Sequence, residues 1–310
     1  MSTFYADETG AWQPFAREGG LVEKYQLNAS GGSTNSPAII QADDRIWDHL
    51  EPYAGGTSLA FGFYSMPGIT RVPMFDTSSV TDLHYTFSGC SSLMGIPELD
   101  TSSATRMTFT FRNCSSLVEI PLLDTSNVTA MDSMFSGCTS LVEIPTFDTS
   151  NVTTMGSMFS GCSSLVGIPE LDTSSATSMG SMFYGCSSLV EIPELDTSNV
   201  TSMNSMFYGC SSLVEIPELD MSSVSSSLGS FAGGANASSQ LSSLTRFRAF
   251  GARRGFFLRG TQMDAGALNE LMSNLGTANG TQTLDIGGNP GSSTCDPSIA
   301  TAKGWTVKIT

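Results

Sequence analysis

Histidine is nearly absent. The 310 residues contain two, His49 and His84, far apart in the chain. A Ser-His-Asp relay, a Cys-His pair or a histidine zinc site therefore has little to be built from. Positive charge is scarce too, with 13 Lys and Arg against 29 Asp and Glu. The net charge of −16 argues against a general nucleic-acid binder, which needs a basic surface for phosphates. No run of about 18 apolar residues occurs and no lipidation pattern opens or closes the chain, so no membrane insertion is expected. The opening MSTFYADETGAWQPFAREGG lacks the positive start, apolar run and small-residue cleavage site of a secretory signal. A chain that folds in a cytoplasm is expected. No GxSxG elbow, GxxxxGK[ST] loop or HExxH helix is found, and the expectation is a non-enzymatic protein with no cofactor and no metal.

What is abundant is repetition. Phe87, Phe111, Phe135, Phe159, Phe183, Phe207 and Phe231 stand 24 residues apart, as do Asp76, Asp100, Asp124, Asp148, Asp172, Asp196 and Asp220. A period of about 20 to 29 residues is the mark of a leucine-rich-repeat type of solenoid. Within one unit Val200, Met203, Met206 and Phe207 are spaced like one face of a short helix, with Asp196, Thr197 and Ser198 as its N-cap and Gly209 at its exit. Leu213, Ile216 and Leu219 then read as a short strand that bends at Pro217. The expected fold is α/β, a solenoid of 24-residue strand and short-helix turns. Each turn is too small to bury its apolar face alone, so stacking has to supply the core.

Six cysteines keep the same period: Cys90, Cys114, Cys138, Cys162, Cys186 and Cys210. Stacked one repeat apart, about 4.8 Å with parallel side-chain vectors, they cannot reach the converging geometry of a disulfide. Nor do they converge as tetrahedral zinc ligands, and no base is repeated beside them to make nucleophiles. The expectation is a buried, inert column, with the Phe ladder beside it.

Two acidic columns mark the strand segment: Glu119, Glu143, Glu191 and Glu215 in one, Glu98, Glu170, Glu194 and Glu218 in the other. They are the candidate binding residues, a strip for a cationic or polyhydroxyl ligand, with calcium a minor option and a merely solvated face the plain alternative. The Asp column is expected to be held by helix-start amides and Ser and Thr hydroxyls. A single basic island carries Arg246, Arg248, Arg253, Arg254 and Arg259 among phenylalanines. It is expected to dock within the chain or onto another subunit rather than on nucleic acid. The sequons at Asn127, Asn151 and Asn199 are by-products of the repeat.

Residues 1–51, with a helix expected around Asp43 to Leu50, form an attachment or capping segment. Residues 52–250 form the solenoid, interrupted by GGANASSQ. Residues 251–310 form a βα cap with a helix from Met263 to Leu275, a strand in TQTLDIGGNPG, a short helix in DPSIATAKG and a strand in WTVKI.

MFYGCSSLVEIPELDTSNVTSM resembles the BspA-like leucine-rich repeat of bacterial surface proteins, Mycoplasma lipoproteins and phage virion proteins, over about residues 60–250. ALNELMSNL and LDIGGNPGSSTCDPSIATAKGWTV are similar to C-terminal segments of phage tail proteins that carry such repeats. The resemblance implies a recognition scaffold without catalytic residues. In its leading form this is a virion protein of the tail or tail tip, assembled in the host cytoplasm and homo-oligomeric. Such a protein would contact other virion proteins through the N-terminal segment and a host cell-surface receptor, protein or glycan, through the repeats. A bacterial adhesin and a structural decoration protein of the virion are the alternatives.

Overall fold

A computed structural model describes strands β1 (Phe4–Ala6) and β2 (Trp12–Pro14) and residues 57–309, apart from residues 61, 73–75, 229–230 and 233–240. β1 and β2 pair antiparallel. The helix expected at Asp43 to Leu50, His49 and the GGANASSQ insertion lie outside the described residues.

The repeats stack in register. Parallel bridges join Asp82 to Arg106, Arg106 to Ala130, Ala130 to Thr154, Thr154 to Ser178 and Ser178 to Ser202, each 24 residues on. The expected short helix does not form in any described repeat. In its place the chain alternates between two kinds of bond. The N–H groups of Met131, Ser133, Phe135 and Gly137 donate sideways to the carbonyls of Thr154, Gly156, Met158 and Ser160 in the next repeat, at 2.7–3.0 Å. Between them, Met134, Ser136 and Cys138 donate back to Met131, Ser133 and Phe135, closing three-residue turns at 3.0–3.2 Å. A helix needs each of these donors for its own i−4 carbonyl. The neighbouring repeat takes every second one, which leaves no helix.

The zigzag requires a left-handed backbone twice per repeat. Gly137 (φ 79°) and Gly161 (φ 77°) take it at the exit that the sequence assigns to glycine, and Ser133 and Ser157 take it four residues earlier (φ 53° and 56°). The spacing of Val128, Met131, Met134 and Phe135 still turns those side chains inward, where all four are fully buried. An inward period close to that of a helix is thus produced by a ribbon of turns.

Nor does the Leu-x-x-Ile-Pro segment form a regular strand in most repeats. It does so only at β3 (Glu215–Asp220), paired in parallel with β4 (Arg246–Phe250), and the register slips between Ile216 and Leu219, around Pro217. Proline has no N–H to give a ladder. Wherever Pro-bearing segments stack on each other, as at Pro121, Pro145 and Pro169, pairing lapses beyond single bonds such as Val166 N–H to the Val142 carbonyl, 3.2 Å. β4 has no proline, so paired residues form there on both sides of the slip.

The core is one continuous column. The Phe rings from Phe87 to Phe207 stack face to face with centroids 5.4–5.9 Å apart. Phe231 turns edge-on to Phe207 at 5.3 Å and stacks on Phe247 at 5.5 Å. Phe256 and Trp305 then carry the aromatic chain into the C-terminal region. That region holds a parallel sheet in the order β5 (Phe256–Phe257), β6 (Gln282–Asp285), β7 (Trp305–Lys308). Helix α1 (Ala265–Asn274) is capped by the Asp264 carboxylate, which accepts from the Ala267 N–H at 2.8 Å. Its last carbonyls are gathered by the Lys303 ammonium, which donates to Ser273 and Leu275 from just beyond the four-residue helix α2 (Ser298–Thr301).

Candidate binding face

The Leu-Val-Glu-Ile run decides what the array shows to solvent. Leu117 and Ile120 turn inward, while Val118 and Glu119 between them both point out. Stacking multiplies this corner into two parallel columns. The first is apolar: Met94, Val118, Val142, Val166, Val190 and Val214 are 42–58 % exposed. The second holds Glu119, Glu143, Glu191 and Glu215, all exposed, with Gly95 and Gly167 in the two remaining places. Across the half-buried prolines stands a third, with Glu98, Glu170, Glu194 and Glu218 exposed beside Thr146 and the 71 % exposed Leu122. Sequence reasoning finds the acidic columns and misses the valines. Their signal is two adjacent apolar residues, Leu117 and Val118, where a half-buried segment would alternate.

The ends of the acidic columns differ from their middles. Arg246 and Arg248 on β4 approach Glu215 and Glu218 at 3.9 and 3.8 Å. Arg246 also grips Glu270 of α1 through two bonds of 2.9 and 3.1 Å, which hold that carboxyl below the usual carboxylate range. Part of the basic island is thus spent inside the chain. Arg259 faces the buried Asp285 at 3.7 Å. For Glu119, Glu143, Glu191, Glu98, Glu170 and Glu194 no cation lies within reach among the described residues, and from Asn113 to Leu244 the sequence contains no Lys, Arg or His.

The Asp column is held by amides and Ser hydroxyls as expected, but not at a helix start. No helix follows it. Instead the Asp148 carboxylate accepts from the N–H and hydroxyl of Ser150, at 3.1 and 2.7 Å, and the same pair recurs from Asp76 to Asp196. These bonds hold the Asp148 carboxyl below its ordinary range. Thr149 bridges onward to the Asp172 carbonyl at 2.8 Å.

The thiols of Cys90, Cys114, Cys138, Cys162, Cys186 and Cys210 are fully buried and free. Burial pushes Cys90 and Cys186 up to about 12 and the other four well up. Among the described residues no group of His, Cys, Asp and Glu converges as a metal site would, and no helix is long and apolar enough to cross a membrane. His84 is half-buried against the stacked rings of Tyr85 and Phe109, 4.5 Å apart, with Arg112 over Phe109. This surface cluster went unforeseen because its members occupy three different columns.

The family model described as "Mycoplasma protein of unknown function, DUF285" matches residues 57–165 and 138–244, together more than half the chain. The chain belongs to this family. The DUF285 matches coincide with the repeat array and leave the N-terminal segment and the C-terminal sheet outside, so the family accounts for the columns described above. No curated protein is similar to the chain. Among solved structures, a leucine-rich repeat protein of T. pallidum is 24 % identical, with a TM-score of 0.39, over 50 % of this chain and 69 % of that one. A leucine-rich repeat protein from Bacteroides ovatus is 14 % identical, with a TM-score of 0.23, over 92 % of each. Neither superposes closely enough for its geometry to inform the DUF285 array.

Proposed function

We propose that the protein is a non-enzymatic recognition scaffold, in which the repeat array displays the valine and glutamate columns to a partner at a cell or particle surface. One observation carries this: a line of exposed apolar side chains runs beside carboxylates that meet no cation among the described residues. The core does not need either column, because Leu, Ile, Met, Phe and Cys fill it. Many aligned weak contacts then add through avidity.

The BspA-like character of the repeats supports a surface adhesin. The narrower form, a tail or tail-tip component assembled in the host cytoplasm, rests on the likeness of the C-terminal segment to tail proteins. In that form residues 1–51 attach the chain to other virion proteins, the repeats meet a host receptor, and the particle holds a homo-oligomer. Mass spectrometry of purified particles against cell-envelope fractions separates the two.

The recognition role is tested with full chain on beads exposed to host-surface extract. Glu119→Lys, Glu143→Lys and Glu191→Lys together should lower partner retention about tenfold, ~1.4 kcal/mol, with an unchanged circular-dichroism spectrum. Unchanged retention would move the site off this face. Glu215 is left intact because it faces Arg246.

A further inference from the structure

We infer that the valine column is the seat of a basic amphipathic α-helix from a partner protein, lying along the array axis, its apolar stripe on Val118 to Val214 and a Lys or Arg flank over Glu119, Glu143 and Glu191. This rests on the recognition reading above and names the partner's chemistry.

Charge selects the sign of the partner. The stretch from Asn113 to Leu244 carries thirteen Asp and Glu and no base. A second copy of the same face would set glutamate columns against each other, which excludes a face-to-face pair of this chain. Arg246 and Arg248, approaching Glu215 and Glu218 at the end of the array, show that these columns accept guanidinium groups where one is supplied.

Backbone geometry selects the secondary structure. Along the valine column the main chain is already engaged: Val166 donates to Val142, Val190 to Val166 and Val214 to Val190, at 3.0–3.2 Å. An incoming strand would find no free edge here, so the contact is made by side chains. The column repeats at strand spacing, about 4.8 Å, and an α-helix advances about 5.4 Å per turn, a drift of about 0.6 Å per repeat. A helix laid along the axis therefore offers one apolar residue to each valine. A strand, at about 3.3 Å per residue, falls out of step. The column is bounded by Thr70, which accepts the Met94 N–H, and Thr245, which donates to Val214. The six apolar positions between them span about 24 Å at strand spacing, the length of a helix of about 16 residues. No aromatic side chain stands in the valine or glutamate columns, so the face lacks the stacking platforms a planar or ring-shaped ligand would use.

The test titrates full chain against a fluorescein-labelled peptide of about 18 residues, with Leu one helical turn apart and Lys along one flank, read by anisotropy. Saturable binding is expected. Val118→Ser, Val142→Ser and Val166→Ser together should weaken it about tenfold. So should Glu119→Gln, Glu143→Gln and Glu191→Gln together, which should also flatten its salt dependence. All six side chains are exposed, so both variants should keep the wild-type spectrum. Equal binding of a peptide with the Leu positions scrambled, or indifference to the valine changes, would mark a diffuse electrostatic contact and overturn the helix. If the peptide does not bind while partner retention on beads still depends on the glutamates, the recognition face stands and the helix falls. Failure of both removes both.

Discussion

The Cys138 thiol donates to the carbonyl oxygen of Phe111, 27 residues earlier and one repeat away, at 3.1 Å. The bond recurs from Cys90 to Phe63 through Cys210 to Phe183. The column is therefore more than small apolar filling: each thiol adds a bond between repeats to a buried carbonyl, such as that of Phe111, which also accepts the Cys114 N–H at 3.1 Å.

Cys138→Ser keeps this second donor for Phe111, whereas Cys138→Ala removes it while the Cys114 N–H still holds that carbonyl at 3.1 Å, so the alanine variant should cost about 1 kcal/mol more than the serine variant. Urea midpoints of the two variants measure the difference. Equal losses would show that the carbonyl bond contributes nothing.

Alkaline pH should unfold the array steeply. An unfolded thiol ionises near pH 8.5, while burial holds the folded ones protonated up to about 12 in Cys90 and Cys186. The unfolded state thus binds fewer protons above pH 8.5, so stability is full below that value and lost as pH rises toward the folded one. Six buried thiols give on the order of 8 kcal/mol per pH unit. Urea midpoints at pH 8, 9 and 10 should fall sharply, and less so in Cys138→Ala. A flat midpoint to pH 10 would contradict the buried column. At neutral pH, native alkylation should reach the half-buried Cys295 first and the other six only on unfolding.

At the acid end the Asp column sets the trend. Because Ser150 holds Asp148 below the usual range, its contribution is fully present above the unfolded value of about 3.9 and is lost as pH falls through the folded one. Ser150→Ala should raise the Asp148 titration midpoint, observable by NMR of the carboxyl carbon. No change would mean that the Ser150 bonds do not form in solution.

Phe159 is sandwiched between Phe135 and Phe183, 5.9 and 5.8 Å away, and Phe159→Ala should cost ~3–5 kcal/mol. Being next to the insertion suggests a softer site at Phe231, yet its ring is fully buried between Phe207 and Phe247. Phe231→Ala should cost as much and differ in where the damage appears. Hydrogen exchange should rise first from β4 onward in Phe231→Ala, and in both directions from the centre in Phe159→Ala. Identical exchange maps would rule out a linear stack held by nearest neighbours.

The 24-residue period, the inward Phe, Met and Cys columns and the outward Glu columns were legible in the chain, because each unit repeats one pattern and stacking in register is the way such units bury it. The C-terminal elements were legible for a different reason: Asp264 at the start of α1 and the β-branched WTVK run are local signals that need no neighbour. What the tertiary structure alone decided is the form of each turn. Val128, Met131, Met134 and Phe135 have helical spacing, but the helix loses because the adjacent repeat offers carbonyls to the N–H groups of Met131, Ser133 and Phe135, a competitor that exists only once the array is stacked. Likewise the strand at Ile216 forms only against the proline-free β4, and Val118 faces water only because Leu117 and Ile120 on either side fill the core. The first two outcomes depend on partners 23 to 31 residues away, which local pattern cannot place.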